Sequence, residues 1–497
     1  MNINENLENG AVYNQETFAL EKGIENADLK KQIKKLKIKN LFLKIISIFL
    51  ALCIFSGGAF IAFTLGRLGF FSKQSIRARL IATASTPGKV GSIDGAKLLT
   101  KIKSVEAILD NLYYYDLDKS KMETGIFAGI MGSINDRYAD YYTPSAYTTM
   151  VEQTEGVYYG IGVVITQDPK TMVTTVIQVY KNSPGEEAGI KEGDVIVSAD
   201  GVDVRNLESG ELVKLIKGPE KTYVTVGVER KDENGTKKLL ELKCQRRAVE
   251  IPTVDYEMLP DRKTGMLSIT QFDMVTVSQF KAAYEELKEK GMTQLVIDLR
   301  NNPGGVLDSV LQVLDYIIPR YSGKYTLNND NFDPGQTLLV YTKNKFGIDS
   351  SFYGDDDHKV DVPIAVLTNG GSASASELFC GALRDYEMAI IVGEKTFGKG
   401  VVQNVINLDD GTAIKFTISE YFTPSGYSIE KKGIIPDFPI GPAGEKLEYD
   451  DDGQVKSSYP VASFSEALRL EKFADGNLSD FQLAKAVYEL DNKSNNK

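Results

Sequence analysis

Histidine occurs once in the 497 residues, as His358, inside the charged run Asp355-Asp-Asp-His-Lys359, which reads as a solvated loop. A Ser-His-Asp triad is therefore not expected, and a nucleophile in this chain needs another base. Cysteine is nearly as scarce. Cys53, Cys244 and Cys380 make no disulfide framework: Cys53 falls in an apolar run, and Cys380 reads as packed core. Positive charge is in deficit as well, with a formal net charge of -11, which argues against a nucleic-acid partner because phosphate neutralisation needs a basic surface. What remains is ordinary globular composition, 42% hydrophobic and 25% charged. The length suits about three domains.

One long uncharged stretch is present. Residues 1–44 form a polar tail that becomes basic through Lys30, Lys31, Lys34, Lys35, Lys37, Lys39 and Lys44, and residues 45–66 are then apolar and free of charge. At about 1.5 Å per helical residue that stretch spans a hydrocarbon core of about 30 Å. It is longer than a signal-peptide core, and the small-residue Ala82-Thr-Ala84 lies far downstream. The lysines put the N-terminus in the cytoplasm and everything from Arg67 onward outside. The expectation is an uncleaved single-pass anchor in the cytoplasmic membrane, followed by a tether at 67–97 broken at Ser85-Thr-Pro-Gly88.

Residues 98–150 turn helical, with Leu98, Ile102, Val105, Ile108, Leu109 and Leu112 recurring at threes and fours and Ile126, Phe127 and Ile130 on a second helix. From 156 to 247 short strands alternate with turns and one helix-like segment at 208–217. Tyr159-Gly-Ile-Gly162 opens them. A glycine-rich loop followed by an exposed strand edge can hold a terminal carboxylate on backbone amides and accept a peptide as an added strand.

The chemistry concentrates in two stretches of residues 250–440. Leu367-Thr-Asn-Gly-Gly-Ser-Ala-Ser-Ala-Ser-Glu-Leu378 places three serines between an apolar strand and a helical pattern, and Gly393-Glu-Lys-Thr-Phe-Gly-Lys-Gly-Val-Val-Gln403 follows. Serines on a strand-to-helix turn face the unpaired first amides of the helix, which can donate to a developing oxyanion. With the one histidine, His358, in a solvated loop, the base is expected to be a lysine that loses its proton through desolvation and positive neighbours. Lys399, between two glycines, is the candidate. The second stretch nearly spells a phosphate-binding loop, but Gly400 stands where that loop needs a hydroxyl, and strand-like sequence follows where it needs a helix. Ser374 with Glu377 also reads as a capping box. Arg300, beside the turn in Asp298-Leu-Arg-Asn-Asn-Pro-Gly-Gly305, reads as structural rather than as a clamp for a substrate carboxylate.

These motifs, in this order, resemble the carboxyl-terminal processing (tail-specific) serine proteases, and the segment at 156–247 resembles a PDZ domain. With the apolar stretch 45–66 read as a transmembrane helix, the expected chain is a multidomain α/β (α+β) protein in which the resemblance implies a helical region with a role in dimerisation, a PDZ domain and a crotonase-like peptidase domain at 250–440. It implies Ser374 as nucleophile, Lys399 as general base and Gln403 as the residue orienting the lysine. Backbone amides of Ala375 and of the Gly304/Gly305 turn would form the oxyanion hole, without a choice between the two glycines. Tyr159, Gly160, Ile161 and Gly162 would bind the C-terminal tails of protein substrates. No metal or cofactor is implied. Tyr427 departs from the pattern, replacing the arginine usual in Thr-Pro-Ser-Gly-Arg-Ser-Ile, and the acidic stretch 322–359 reads as an insertion. Residues 441–497 read as a polar linker, a helix from Phe464 and a disordered end. A reading from a different class is a non-catalytic PDZ receptor for exported C-termini, separated from a peptidase by whether an acyl probe labels Ser374.

Overall fold

The computed structural model describes residues 93–232, 234–261, 263–320, 325, 336–354, 358–459 and 480–495. The segments expected as tail (1–44), membrane helix (45–66), most of the tether, and the helix from Phe464 lie outside them. Among the described residues no helix is long and apolar enough to cross a membrane.

The chain divides into two units at Tyr115. In the first, the described part is the helix Gly95–Leu112, N-capped by Asp94 and without a buried residue. Leu99, Ile108 and Leu112 lie exposed along it.

The second unit holds two sheet-built parts, one within 156–247 and one within 250–440, with further helices ahead of them. Five principal strands of the first part form a sheet in which Val163–Gln167 is an edge, pairing on one side only with Thr174–Val179. Val176, Ile196, Val226 and Val228 alternate inward from the strands and bury against Leu212 and Ile216 of the helix Ser209–Ile216. Asp194, fully buried, is held by the Arg230 guanidinium at 2.7 Å.

The second part is built on a sheet whose strands Thr264–Ile269, Gln294–Asp298, Ile364–Thr368, Ala389–Gly393 and Phe438–Pro439 run parallel, with Val254–Met258 added antiparallel at one edge. Central strands of such a sheet are buried on both faces, so they are continuous apolar runs. Leu295-Val-Ile297 and Ile364-Ala-Val-Leu367 have 0–2% exposure. One face packs on the helices Thr276–Glu289, Leu307–Ile317 and Ala375–Asp385. The other is covered by Phe481–Asn495, whose Leu483, Ala486, Val487 and Leu490 meet Val296, Leu367 and Val392. A disordered end was expected there. The spacing of those four residues is instead that of one helical face.

A second, antiparallel sheet carries the hairpin Val401–Asn407 and Ala413–Phe422, continued by Thr337–Asn344 and Gly347–Gly354. The acidic stretch read as an insertion thus contributes two full strands. Asp140–Tyr142 pairs with Ala413, Ile414 and Lys415 on the same long strand. This joins the segment after the helix Lys119–Gly132 to the second sheet.

Candidate active site

Two adjacent parallel strands, Gln294–Asp298 and Ile364–Thr368, end side by side with Asp298 opposite Leu367. Their outgoing turns therefore meet, and such a crevice beyond the carboxyl ends of a sheet is where α/β proteins place ligands. The first turn carries Asn302, Gly304 and Gly305, and the second carries the three serines.

Asn302 ties the two turns together. Fully buried, its side chain donates to the Ile269 carbonyl at 2.8 Å and accepts the Gly304 amide at 2.9 Å. Its carbonyl accepts the Ala373 amide and the Ser376 hydroxyl, each at 3.0 Å. At Gly304 (φ +99°) a Cβ would lie 2.8 Å from both Ser374 Cβ and the Ala375 nitrogen, so only glycine allows the approach. The Gly304 amide is committed to Asn302. Among the described residues the amides of Gly305 and Ala375 have no hydrogen-bond acceptor.

The serines are not equivalent. Ser372 Oγ donates to the Leu299 carbonyl at 2.8 Å and Ser376 Oγ to that of Asn302. Ser374 hands its hydroxyl proton to no described group. It is 8% exposed and has a positive φ of +57° with ψ -113°. Such a backbone strains a non-glycine residue and recurs at functional positions.

Glu377, fully buried one turn into the helix, organises the rest. Its Oε2 accepts the amides of Ser374 and Lys399, each at 2.8 Å, and its Oε1 accepts the Gly398 amide at 2.7 Å and the Thr396 hydroxyl at 2.5 Å. Burial pushes its carboxyl up from the usual range, while these four donors pull it back. Lys399 is half-buried. Desolvation lowers its ammonium below the ordinary lysine value, and the charges of Lys415 and Arg137 lower it further, against Glu377 and Glu430. Its Nζ stands 4.6 Å from the centroid of the Tyr138 ring.

Gln403 lies on the strand that follows Lys399, at a bulge opposite Thr417 and Ser419. Its Nε2 donates to the Val401 carbonyl at 3.2 Å and to Thr417 Oγ1 at 3.3 Å, not to Lys399. His358 is away from this chemistry, with Nδ1 at 2.8 Å from the Ile317 carbonyl. Arg300 is bound by Asp298 at 2.6 Å and Asp480 at 2.7 Å, which leaves it a brace between strand end and C-terminal helix. Tyr427 donates to the Gly433 carbonyl at 2.9 Å under the Arg384 guanidinium. Cys244 and Cys380 are buried free thiols, and burial pushes the Cys244 thiol up to about 11.

In the PDZ domain Tyr159 is exposed, on a short strand paired with Arg247–Glu250. Ile161 is core, and its carbonyl accepts the Gly185 amide at 2.7 Å. Gly162 (φ +75°) closes the loop into the edge strand. A Cβ there would be 2.2 Å from Ser183 Cβ. Between the edge strand and the helix Ser209–Ile216 runs a cleft of about 600 Å³ lined by Ile165, Gln167, Met172, Glu208 and Val213.

A helix-capping serine that hands its hydroxyl proton to no described group, a lysine with lowered ammonium and two open amides, on a chain with an open edge strand, define a serine peptidase with a PDZ domain. The comparisons with known proteins agree. The model of Peptidase family S41 matches residues 263–440 and that of the PDZ domain residues 175–230. A "Probable CtpA-like serine protease" of Staphylococcus aureus (strain N315) is 32% identical over 422 residues, 80% of each chain. One of Staphylococcus saprophyticus is 31% identical over 372 residues, 72% of this chain and 71% of the relative. Among solved structures, the photosystem II D1 C-terminal processing protease aligns at 27% identity and a TM-score of 0.39, covering 69% of this chain and 86% of that one. The chain belongs to the S41 family of carboxyl-terminal processing serine peptidases and is a serine-type endopeptidase.

Proposed function

We propose that this endopeptidase is membrane-anchored, captures the C-terminal tails of exported proteins on its PDZ domain, and cleaves them with a Ser374–Lys399 dyad. The observation that carries the dyad is the shared acceptor Glu377 Oε2, which holds the Ser374 and Lys399 amides at 2.8 Å each and so fixes the two residues to one point. Ser374 Oγ attacks the peptide carbonyl as Lys399 Nζ takes its proton. The oxyanion is received by the amides of Gly305 and Ala375. Lys399 then gives the proton to the leaving amine, and in the second half-reaction draws one from the water that opens the acyl-enzyme. Gln403, four residues on from Lys399 and with its amide oxygen toward no donor among the described residues, is assigned to orient the lysine once substrate has entered.

For tail capture, the unpaired edge of Val163–Gln167 accepts an antiparallel peptide whose carboxylate meets the amides of the loop at 159–162. For the anchor, the support is the charge-free stretch 45–66 behind seven lysines. The deciding experiment incubates the chain with a fluorophosphonate and with peptides bearing free or amidated C-termini. Labelling at Ser374 that Lys399→Ala abolishes, and cleavage that prefers the free tail, support the reading. Labelling at another residue, or unchanged labelling in Lys399→Ala, removes the dyad. Digestion of the catalytic domain by protease added outside intact cells tests the topology, and full protection overturns it.

A further inference from the structure

Two cations share one aromatic ring beside the dyad. Lys399 Nζ and the Arg137 guanidinium carbon each stand 4.6 Å from the centroid of Tyr138. Arg137 also lies 5.5 Å from the ring of Phe397, two residues before Lys399, and is bonded to the Tyr138 hydroxyl. The position of Tyr138 does not depend on Lys399. Asp136 just before it accepts the Thr417 amide at 2.7 Å and the Tyr138 amide at 3.0 Å. Just after it, Asp140–Tyr142 is hydrogen-bonded as a strand to Ala413, Ile414 and Lys415, and Lys415 Nζ donates to the Tyr142 hydroxyl at 2.6 Å. The ring is thus clamped to the catalytic sheet from both sides.

A ring face held this way attracts the lysine ammonium and to that extent favours the protonated form, while it fixes the direction of Nζ and shuts water out of one side of it. The charged groups that face Lys399 come from four places. Arg137 arrives on the turn between the helix Lys119–Gly132 and the strand Asp140–Tyr142, Lys415 on the long strand, Glu377 on the helix behind Ser374, and Glu430 on the loop that closes against Gly400. The two cations disfavour the ammonium and the two carboxylates favour it. Of the four, Arg137 is the exposed one.

We propose that Tyr138 and Arg137 are positioning residues of this peptidase: Tyr138 fixes the Lys399 amine in its productive direction, and Arg137 keeps that amine ready to give up its proton. The inference rests on Lys399 being the base. It makes the segment at 136–142, outside the stretch matched by the peptidase model, part of the active site.

The test measures kcat/KM against pH for the full-length chain on a peptide with a free C-terminus. Arg137→Gln moves the rising limb to higher pH by about half a unit, so activity at pH 7 falls severalfold and returns on the alkaline plateau. Arg137→Lys restores the wild-type limb, and added salt narrows the gap between wild type and Arg137→Gln, because an exposed charge is screened. Tyr138→Phe keeps the plateau, whereas Tyr138→Ala lowers it about tenfold even where the lysine is neutral, the mark of lost orientation. An Arg137→Gln limb that coincides with wild type, or a Tyr138→Ala plateau that equals it, overturns the proposal. A Lys399→Ala chain that keeps activity with the wild-type limb overturns the dyad itself. That outcome is distinct from the other two, in which Lys399 remains essential.

Discussion

Glu377 accepts the backbone amide of Lys399 with the same carboxylate oxygen that holds the amide of Ser374. A buried carboxylate between the two motifs makes their spacing a property of the folded core and not of either loop. Removing it leaves four donors facing an empty site. Glu377→Ala is expected to lower unfolding free energy by about 3 kcal/mol, since hydrogen bonds to a charged group contribute about 1.5–3 kcal/mol each and some donors will find water. Fluorophosphonate labelling of Ser374 should fall with it. Urea unfolding followed beside labelling rates checks both, and a Glu377→Ala chain with wild-type stability and labelling contradicts the bridging role.

The three serines should separate cleanly. Ser374→Ala is expected to reduce turnover by at least about 10³-fold at a stability cost of no more than about 1 kcal/mol, because it removes the nucleophile and one helix-capping acceptor. Ser372→Ala and Ser376→Ala leave the carbonyls of Leu299 and Asn302 each short of a buried donor. Each should cost about 1–3 kcal/mol of stability and retain covalent labelling at position 374. Mass-mapped labelling of the three variants decides the assignment.

Much of this arrangement was legible in the sequence. The strands around Leu295 and Ile364 are bare apolar runs, and the turn chemistry at Asn369-Gly-Gly371 and Asn301-Asn-Pro-Gly304 announces itself locally. What was not legible is what only tertiary closure creates. Asn302 reads as one more turn residue until its side chain is seen joining Ile269 to Gly304, and Glu377 reads as a helix cap until Gly398 and Lys399 fold onto it. Tyr138 lies 261 positions before Lys399 in sequence, and no local pattern pairs them. The strands Thr337–Asn344 and Gly347–Gly354 were hidden by the acidic residues around them. The C-terminal helix was readable and misread: Leu483, Ala486, Val487 and Leu490 hold a 3-4-7 spacing that outweighs the polar residues between them.

The lowered ammonium of Lys399 fixes the sign of two pH effects. Activity needs the neutral amine, so kcat/KM rises with pH along one limb, with its midpoint below the ordinary lysine value of about 10.4. For stability, the unfolded lysine keeps its proton to higher pH than the folded one. Between the two pKa values the unfolded state therefore binds more protons, and this group's contribution to stability improves as pH rises through that window. Below it the fold carries the cost of a half-buried cation. Lys399→Met should abolish turnover and raise the melting temperature at pH 7, with the advantage over wild type shrinking toward pH 10. A melting temperature lowered by the substitution at every pH would show that the ammonium is well accommodated.

Recognition and chemistry should come apart at the PDZ loop. Gly162 has φ +75°, and a Cβ there would lie 2.2 Å from Ser183 Cβ and 3.4 Å from a Val249 methyl. Gly162→Ala must therefore move the backbone that leads into the edge strand Val163–Gln167. Because Ser374 belongs to a different core, with Phe379 and Leu378 around it rather than Ile161 and Val176, the nucleophile should be labelled at the wild-type rate. Cleavage of a long free-tailed peptide should lose affinity, with KM rising about tenfold or more and turnover at saturation little changed. Amidating the peptide's C-terminus acts from the ligand side and should reproduce the same KM change in the wild-type chain, yet add nothing further in Gly162→Ala, since both remove one contact. If amidation and the loop substitution instead lower KM-normalised cleavage independently and multiply, the loop at 159–162 is not where the tail carboxylate is held.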